Sequence, residues 1–165
     1  MKNWHQSQRG YFCGKLLEEM HLNKDIVVIT GDLGYGAFDK IKETYPQRFF
    51  NVGASEQAMV GIACGMALRG KIPVVYSITP FLLARPYEWL RNYVDHEEIP
   101  IKLVGAGRDM DYEHDGFTHY ANDAKKILYT LPNIEQIWPK DKESVVKFMD
   151  FFLNNGKPTF ISLKR

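Results

Sequence analysis

Short apolar runs alternate along the chain with longer segments in which apolar residues are spaced as on a helix. The apolar runs, which predict strands, lie at 26–30, 49–52, 73–78, 101–106, 134–139 and 159–164. The segments with helical spacing lie at 6–21, 38–45, 55–69, 80–96, 121–131 and 141–155. Because the strand runs are unbroken rather than alternating, both faces of each strand should be covered. The pattern predicts fold class α/β, as a three-layer α/β/α domain with a mostly parallel six-stranded sheet.

The segment 55–69 differs from the others because an acid, Glu56, opens a helix of almost entirely small or apolar residues. A helix that is apolar nearly all round should be buried nearly all round. Ser55 suits the N-cap position, and an acid in the first turn interacts favourably with the helix dipole. That explanation accounts for the position of Glu56 but not for its apolar neighbours, so a functional role is the alternative.

Composition sets the class of protein and excludes several others. Hydrophobic residues make up 45% and charged residues 25% of the chain, and the net charge is +1, which favours neither nucleic acid nor an anionic membrane as a partner. Neither a signal peptide nor an apolar stretch of about 18 residues is present, so we expect a cytoplasmic protein. Cys13 and Cys64 lie in apolar helical segments, which favours buried free thiols over a disulfide or a metal site.

The longest predicted irregular stretch, GRDMDYEHDGFTHY at 107–120, follows the carboxyl end of a strand. Open α/β sheets bind ligands at that end, and long ordered loops there are often functional. Four acids alternate along this loop, at 109, 111, 113 and 115, without the glycine and terminal glutamate of a calcium loop. The chain also contains no P-loop, no H-E-x-x-H and no nucleophile elbow.

Several blocks of the chain, among them FFNVGASEQAMVGIACGMAL at 49–68 and GDLG at 31–34, resemble the transketolase-like thiamine diphosphate enzymes. The first block is similar to their G-[IA]-x-E-x-x-M-x-x-x-A-x-G-[MLI]-A, and the second resembles their A-D-L-G. HDGFTH at 114–119 resembles D-G-P-T-H, and LPNIEQIWPKD at 131–141 resembles L-P-N-x-x-[VI]-x-x-P-x-D. The blocks keep the family's order, so the resemblance implies a thiamine diphosphate-binding fold in which residues 1–165 form a single pyrimidine-binding domain.

The resemblance also implies roles for residues that would bind the cofactor. Glu56 matches the catalytic glutamate that hydrogen-bonds N1′ of the aminopyrimidine and shares a proton with it, which promotes formation of the thiazolium ylide. Phe81 matches the aromatic residue that stacks on the pyrimidine, and it follows Glu56 by 25 residues, as in 1-deoxyxylulose-5-phosphate synthase. Asp32 matches an aspartate near the cofactor, although N-capping is an alternative explanation for that residue.

Three further residues match positions that face the substrate in the family. Asp115 and His119 match an aspartate and a histidine with catalytic and substrate-binding roles, and a histidine beside a carboxylate suits proton exchange with a sugar hydroxyl or carbonyl. Arg85 matches the arginine of the family's R-A-Y, a substrate-phosphate ligand, but one extra residue separates it from Phe81. Phe117 replaces the proline of D-G-P-T-H.

The blocks that are missing imply a partner. The family binds the diphosphate and Mg²⁺ through a G-D-G…N motif on a separate domain, and GDLGYG is not that motif. A third, C-terminal domain is also missing, so the chain is expected to be one subunit of a two-component transferase that moves a two-carbon ketol unit between sugars or sugar derivatives. The second subunit would bring the diphosphate and Mg²⁺ site, and the two would form a heterotetramer.

Two alternatives stay open. The partner complex could catalyse a decarboxylation or an acyloin-type condensation, as in deoxyxylulose phosphate synthases or α-keto acid dehydrogenase β chains. The chain could instead be a non-catalytic, regulatory relic of the fold.

Overall fold

The computed structural model describes residues 4–165, so the first three residues of the domain expected over 1–165 lie outside it. The sheet of the described chain has six strands: β1 (Ile26–Thr30), β2 (Phe49–Asn51), β3 (Ile72–Ile78), β4 (Lys102–Ala106), β5 (Glu135–Ile137) and β6 (Thr159–Leu163). They lie in the order β2-β1-β3-β4-β6-β5, and each pair of neighbours is parallel. The predicted fold class is therefore confirmed.

Helices cover both faces of this sheet, which explains why the strands are apolar at every position. One face carries α1 (Gln8–Leu22), α2 (Asp39–Thr44) and α7 (Lys142–Asn154). The other face carries α3 (Glu56–Leu68), α4 (Thr79–Ala84) and α6 (Ala124–Tyr129). Adjacent strand residues therefore enter different cores: Val28 packs with the first set of helices and Ile29 with the second. Within residues 4–165 we find no helix long and apolar enough to cross a membrane.

Both cysteines are buried free thiols, as predicted. Burial raises the pKa of Cys13 to about 12 and the pKa of Cys64 to about 11. Both thiols are consequently protonated near neutral pH and pack as small apolar groups.

The single helix predicted over 80–96 is wrong. Helix α4 ends at Ala84, a short helix α5 (Tyr87–Trp89) follows, and the chain continues as a π-helical turn over Leu90–Asp95. Pro86 lies at the interruption, since proline has no backbone N–H to donate and its ring clashes with the preceding turn of a helix. The other predicted elements differ from the observed ones only at their ends.

Helix α3 is buried on one side only, so the prediction of burial nearly all round is wrong for the chain by itself. Its buried residues face the sheet: Glu56, Met59, Val60, Ala63 and Cys64. The opposite side leaves Ile62 40% exposed and Leu68 71% exposed. Ser55 occupies the predicted N-cap position, but its side chain makes no capping hydrogen bond.

Candidate active site

The residues predicted to form the site follow the carboxyl ends of four adjacent strands. Asp32 follows β1, and Glu56 follows β2. Phe81 and Arg85 follow β3, while His119 lies in the long segment after β4. Because the sheet runs β2-β1-β3-β4 and these strands are parallel, their carboxyl ends meet at one edge. The strand order brings together residues that lie far apart in the sequence.

At this edge the buried carboxylate of Glu56 makes an ion pair with a half-exposed arginine. Its side chain is 3% exposed, and Nη1 of Arg85 donates a hydrogen bond to Oε1 of Glu56 at 2.7 Å. Helix α3 holds the carboxylate against the apolar core, whereas the side chain of Arg85 is 48% exposed. The guanidinium therefore supplies the charge that balances a carboxylate removed from water.

The same guanidinium stacks on Phe81. The guanidinium carbon of Arg85 lies 3.8 Å from the centroid of the Phe81 ring, a cation–π contact. Glu56, Arg85 and Phe81 therefore form one continuous group in which a planar cation lies between an acid and an aromatic face. The predicted role of Arg85 in binding a substrate phosphate stays a prediction, and in this structure its guanidinium is held by these two residues.

Asp32 lies in a left-handed backbone conformation, with φ of 60°, which is uncommon for a residue other than glycine. Its carboxylate accepts hydrogen bonds from the hydroxyl of Tyr35 at 2.7 Å and from the side-chain amide of Asn51 at 3.3 Å. These two bonds, the Tyr35 bond first, lower the pKa of Asp32. The N-cap explanation for Asp32 is wrong, because α2 begins at Asp39 with Phe38 as its cap.

Asn51 is a residue of this edge that the sequence motifs did not single out. Its side-chain oxygen accepts hydrogen bonds from the backbone N–H of Asp32 at 2.8 Å and of Gly53 at 3.0 Å. Asn51 thereby connects the loop after β1 to the turn that leads into α3. The signal in the sequence was an amide side chain at the carboxyl end of an otherwise apolar strand.

His119 lies beside the aromatic residue of the site. Its ring centroid is 4.8 Å from that of Phe81, with the two rings edge to face at 65°. Asp115 lies instead beside a different histidine: Nε2 of His114 is 3.3 Å from Oδ2 of Asp115. The expected pairing of a histidine with a carboxylate is present in this loop, but the partner that Asp115 contacts is His114.

The segment after β4 is anchored at its base. The hydroxyl of Thr79, the first residue of α4, donates a hydrogen bond to the carbonyl oxygen of Gly107 at 2.6 Å. Farther along, Nη1 of Arg9 donates to the hydroxyl of Tyr112 at 3.2 Å. Two short 3₁₀ turns, Glu113–Asp115 and Phe117–His119, complete the predicted irregular stretch. These contacts hold the substrate-facing candidates on an ordered loop.

A cavity of about 330 Å³ opens next to this loop. It is lined by Pro80, Phe117, Thr118, Tyr120, Asn122, Asp123 and Lys126. Phe117, the residue that replaces the family's proline, is 83% exposed at its rim. The cavity is large enough for a small molecule, and two of its lining residues, Thr118 and Tyr120, flank His119 in the sequence.

The residues at the edge fit the aminopyrimidine of thiamine diphosphate. A flat nitrogen heterocycle needs an acid at its edge and an apolar or aromatic surface against its face. Here Glu56 and Phe81 already hold a flat nitrogen-containing group, the guanidinium of Arg85, in that way. No three His, Cys, Asp or Glu side chains converge as a metal site in the described residues.

Fold and site together define the class of this domain: a parallel α/β unit that presents an acid and an aromatic ring at the carboxyl edge of its sheet. The chain belongs to the family of transketolase pyrimidine-binding domains, whose family model, "Transketolase, pyrimidine binding domain", matches residues 7–165. The resemblance drawn from the sequence blocks is therefore confirmed.

The curated relatives include proteins named as parts of transketolases. The chain is 32% identical over 160 residues to a putative transketolase C-terminal section from Methanocaldococcus jannaschii, covering 96% of this chain and 50% of that protein. It is 32% identical over 123 residues to one subunit of an apulose-4-phosphate transketolase from Actinobacillus succinogenes, covering 74% and 39%. The chain thus spans half or less of the length of these relatives.

A second group of relatives has a different activity in its name. The 1-deoxy-D-xylulose-5-phosphate synthase of Methylacidiphilum infernorum is 29% identical over 157 residues, covering 93% of this chain and 24% of that protein.

Among solved structures, one described as a split gene transketolase in an inactive beta4 tetramer superposes with a TM-score of 0.86 at 25% identity. That match covers 98% of this chain and 52% of the other.

Proposed function

We propose that residues 1–165 form a single pyrimidine-binding domain within one subunit of a two-component, thiamine diphosphate-dependent transketolase. The complex would move a two-carbon ketol unit between sugars or sugar derivatives. The observation that carries the proposal is the buried carboxylate of Glu56 and its ion pair with Arg85. The planar guanidinium of Arg85 stacks in turn on the ring of Phe81. The relatives named as a C-terminal section and as a transketolase subunit support a divided enzyme.

Thiamine diphosphate, when bound, supplies a carbon nucleophile and an electron sink. Glu56 would hold the aminopyrimidine at its ring nitrogen N1′ and exchange a proton with that atom. Because its carboxyl is buried in the apolar side of α3, bulk water does not compete for this hydrogen bond. Phe81 would pack against the face of the pyrimidine, and Asp32 would lie near the cofactor on the loop after β1.

On the substrate side, His119 and Asp115 are the proposed groups. The imidazole of His119 would donate a proton to, or accept one from, a sugar hydroxyl or carbonyl, since its ring nitrogens can act as an acid or as a base. Asp115 would bind a hydroxyl, with His114 orienting its carboxylate at 3.3 Å. Arg85 would contact an anionic group of the substrate.

The partner subunit would hold the diphosphate and Mg²⁺ through its G-D-G…N motif. Helix α3 offers the surface for such a partner, because Ile62 and Leu68 remain exposed on the side that faces away from the sheet. Two copies of each subunit would form a heterotetramer in the cytoplasm. The split gene transketolase to which this fold is similar is described as an inactive beta4 tetramer, which supports self-association of this kind of subunit.

A decarboxylating condensation is the second candidate. It is supported by the match to 1-deoxy-D-xylulose-5-phosphate synthase over 93% of this chain and by the spacing of Glu56 and Phe81. In that reaction the donor would be an α-keto acid and CO₂ would be released. The presence of Glu56 together with Asp115 and His119 argues against a non-catalytic relic.

Reconstitution tests the proposal. The tagged full chain is used to co-purify its partner, and the complex is supplied with thiamine diphosphate and Mg²⁺. Transfer of a ketol unit from a ketose phosphate to an aldose, without CO₂ release, is the expected result. CO₂ release from pyruvate in the presence of an aldehyde would replace the proposal with the second candidate. A cofactor-loaded complex that turns over neither the ketose phosphate nor pyruvate would support the third alternative, a non-catalytic relic of the fold.

A further inference from the structure

We infer that Arg85 is a placeholder for the aminopyrimidine: without cofactor its guanidinium occupies the space between Glu56 and Phe81, and it leaves when the ring binds. This inference rests on the proposed function, because it requires Glu56 and Phe81 to form the pyrimidine site. It adds a residue that regulates access to the site, and it predicts two positions for the Arg85 side chain.

The first argument is the match between the two groups. A guanidinium is planar, carries N–H donors in its plane and stacks on aromatic rings. Arg85 uses both properties at once, with a 2.7 Å hydrogen bond to Glu56 and a 3.8 Å contact with Phe81. The aminopyrimidine would use the same carboxylate at its edge and the same ring at its face. The two groups therefore exclude each other.

The second argument is the need for a partner at Glu56. A carboxylate that is 3% exposed and has no partner would be strongly disfavoured. Arg85 supplies the hydrogen bond and the opposite charge before the cofactor binds. Once the ring nitrogen takes over that hydrogen bond, the guanidinium is no longer required there.

The third argument is that Arg85 is placed to move. Its backbone carbonyl oxygen accepts a hydrogen bond from the side-chain amide of Gln57 at 3.4 Å, so the backbone has a contact of its own that does not involve the guanidinium. Its side chain is 48% exposed and lies where α4 ends before Pro86. Side-chain rotation alone can therefore release the guanidinium into solvent, without unfolding either helix. The released cation would stay close to the carboxyl edge of the sheet, where it could contact an anionic group of the substrate.

Competition between the two groups should lower the affinity of the chain for the pyrimidine. A hydrogen bond to a charged group contributes enough to change an equilibrium by about tenfold or more. Removing the guanidinium should therefore tighten binding of the isolated ring by about tenfold, because the free chain then loses the contact that competes with the ring.

The test uses the full chain and 4-amino-5-hydroxymethyl-2-methylpyrimidine, the pyrimidine half of the cofactor, titrated by NMR. Arg85→Gln removes the planar cation. Arg91→Gln is the matched control, since Arg91 is an exposed arginine on the neighbouring π-helical turn whose Nη1 donates to the side chain of Asn92 at 3.3 Å. In the wild-type chain, the Nε–H resonance of Arg85, which the Phe81 ring 3.8 Å away is expected to shift, is followed in the same titration.

We expect weak binding to the wild-type and Arg91→Gln chains, binding about tenfold tighter to Arg85→Gln, and movement of the Arg85 resonance towards its free position. Equal or weaker binding by Arg85→Gln would overturn the placeholder and leave the pyrimidine site intact. If none of the three chains bound the pyrimidine, the site formed by Glu56 and Phe81 would be overturned, and with it the proposed function. An unmoved Arg85 resonance with the pyrimidine bound would also contradict the inference.

Discussion

Substitution of Glu56 by Gln separates a catalytic role of the acid from a structural one. Glutamine keeps the shape of the side chain and still hydrogen-bonds, but it cannot exchange a proton with a ring nitrogen. General acid–base assistance typically contributes about 10²–10⁴-fold, so we expect a loss of that order in turnover by the reconstituted complex. Cofactor binding should change little, because the hydrogen bond at the ring edge is kept.

The structure sets the expected cost in stability. The Glu56→Gln chain would lose the ionic part of the 2.7 Å bond to Arg85, whose side chain is 48% exposed and can regain water. We therefore expect the free energy of unfolding to fall by about 1 kcal/mol, well below the cost of leaving a buried charge unpaired. Urea unfolding of the purified chain measures this change.

The decisive assay is exchange of the C2 proton of the bound cofactor for deuterium, because it precedes all sugar chemistry. Glu143→Gln is the matched control, since Glu143 is an acid in the first turn of α7, away from the site. If Glu56 only stabilised the dipole of its helix, both variants would lose about 0.3–1 kcal/mol and exchange normally. Unchanged exchange in a folded, cofactor-loaded Glu56→Gln complex would refute the mechanism.

Three further predictions concern stability, assembly and cofactor binding. Burial lowers the pKa of Lys102 to about 8 from 10.5, so between these pH values only the unfolded chain holds the proton and stability rises with pH, by up to about 3 kcal/mol. Urea unfolding should show this rise relative to Lys102→Met, and parallel pH profiles would contradict it. Ile62→Asp should prevent assembly with the partner in sedimentation, whereas Leu22→Asp, on α1, should not; assembly of both variants would exclude α3 as the interface. The chain without its partner should not bind thiamine diphosphate at micromolar concentration in calorimetry, and such binding would rule out a divided site.

The strands and most helices could be predicted because their signals are local. A run such as IVVIT at 26–30 is apolar at nearly every position, which is typical of a strand covered on both faces. The error at 80–96 has a local cause as well. The apolar spacing on either side of Pro86 predicts one continuous helix, whereas the proline itself predicts the interruption that the structure shows.

Part of the site was also readable in the chain. Glu56 is conspicuous because it is an acid among apolar residues, and Phe81 because it follows the third strand at a spacing typical of the family. The contacts of Arg85 were not readable, since 29 residues separate it from Glu56 and only the fold brings them to 2.7 Å. The hydrogen bonds of Asn51 to Asp32 are hidden for the same reason.

The sequence by itself determined the alternation of strands and helices, the two covered faces of the sheet and the acid at the start of α3. These features follow from hydrophobic spacing and from interactions within a few residues. Tertiary structure determined which strands are neighbours, which aromatic ring lies beside His119, and which cation balances Glu56. Such choices depend on distances between residues far apart in the chain, and these distances are set only when the strands pair and their carboxyl ends meet at one edge.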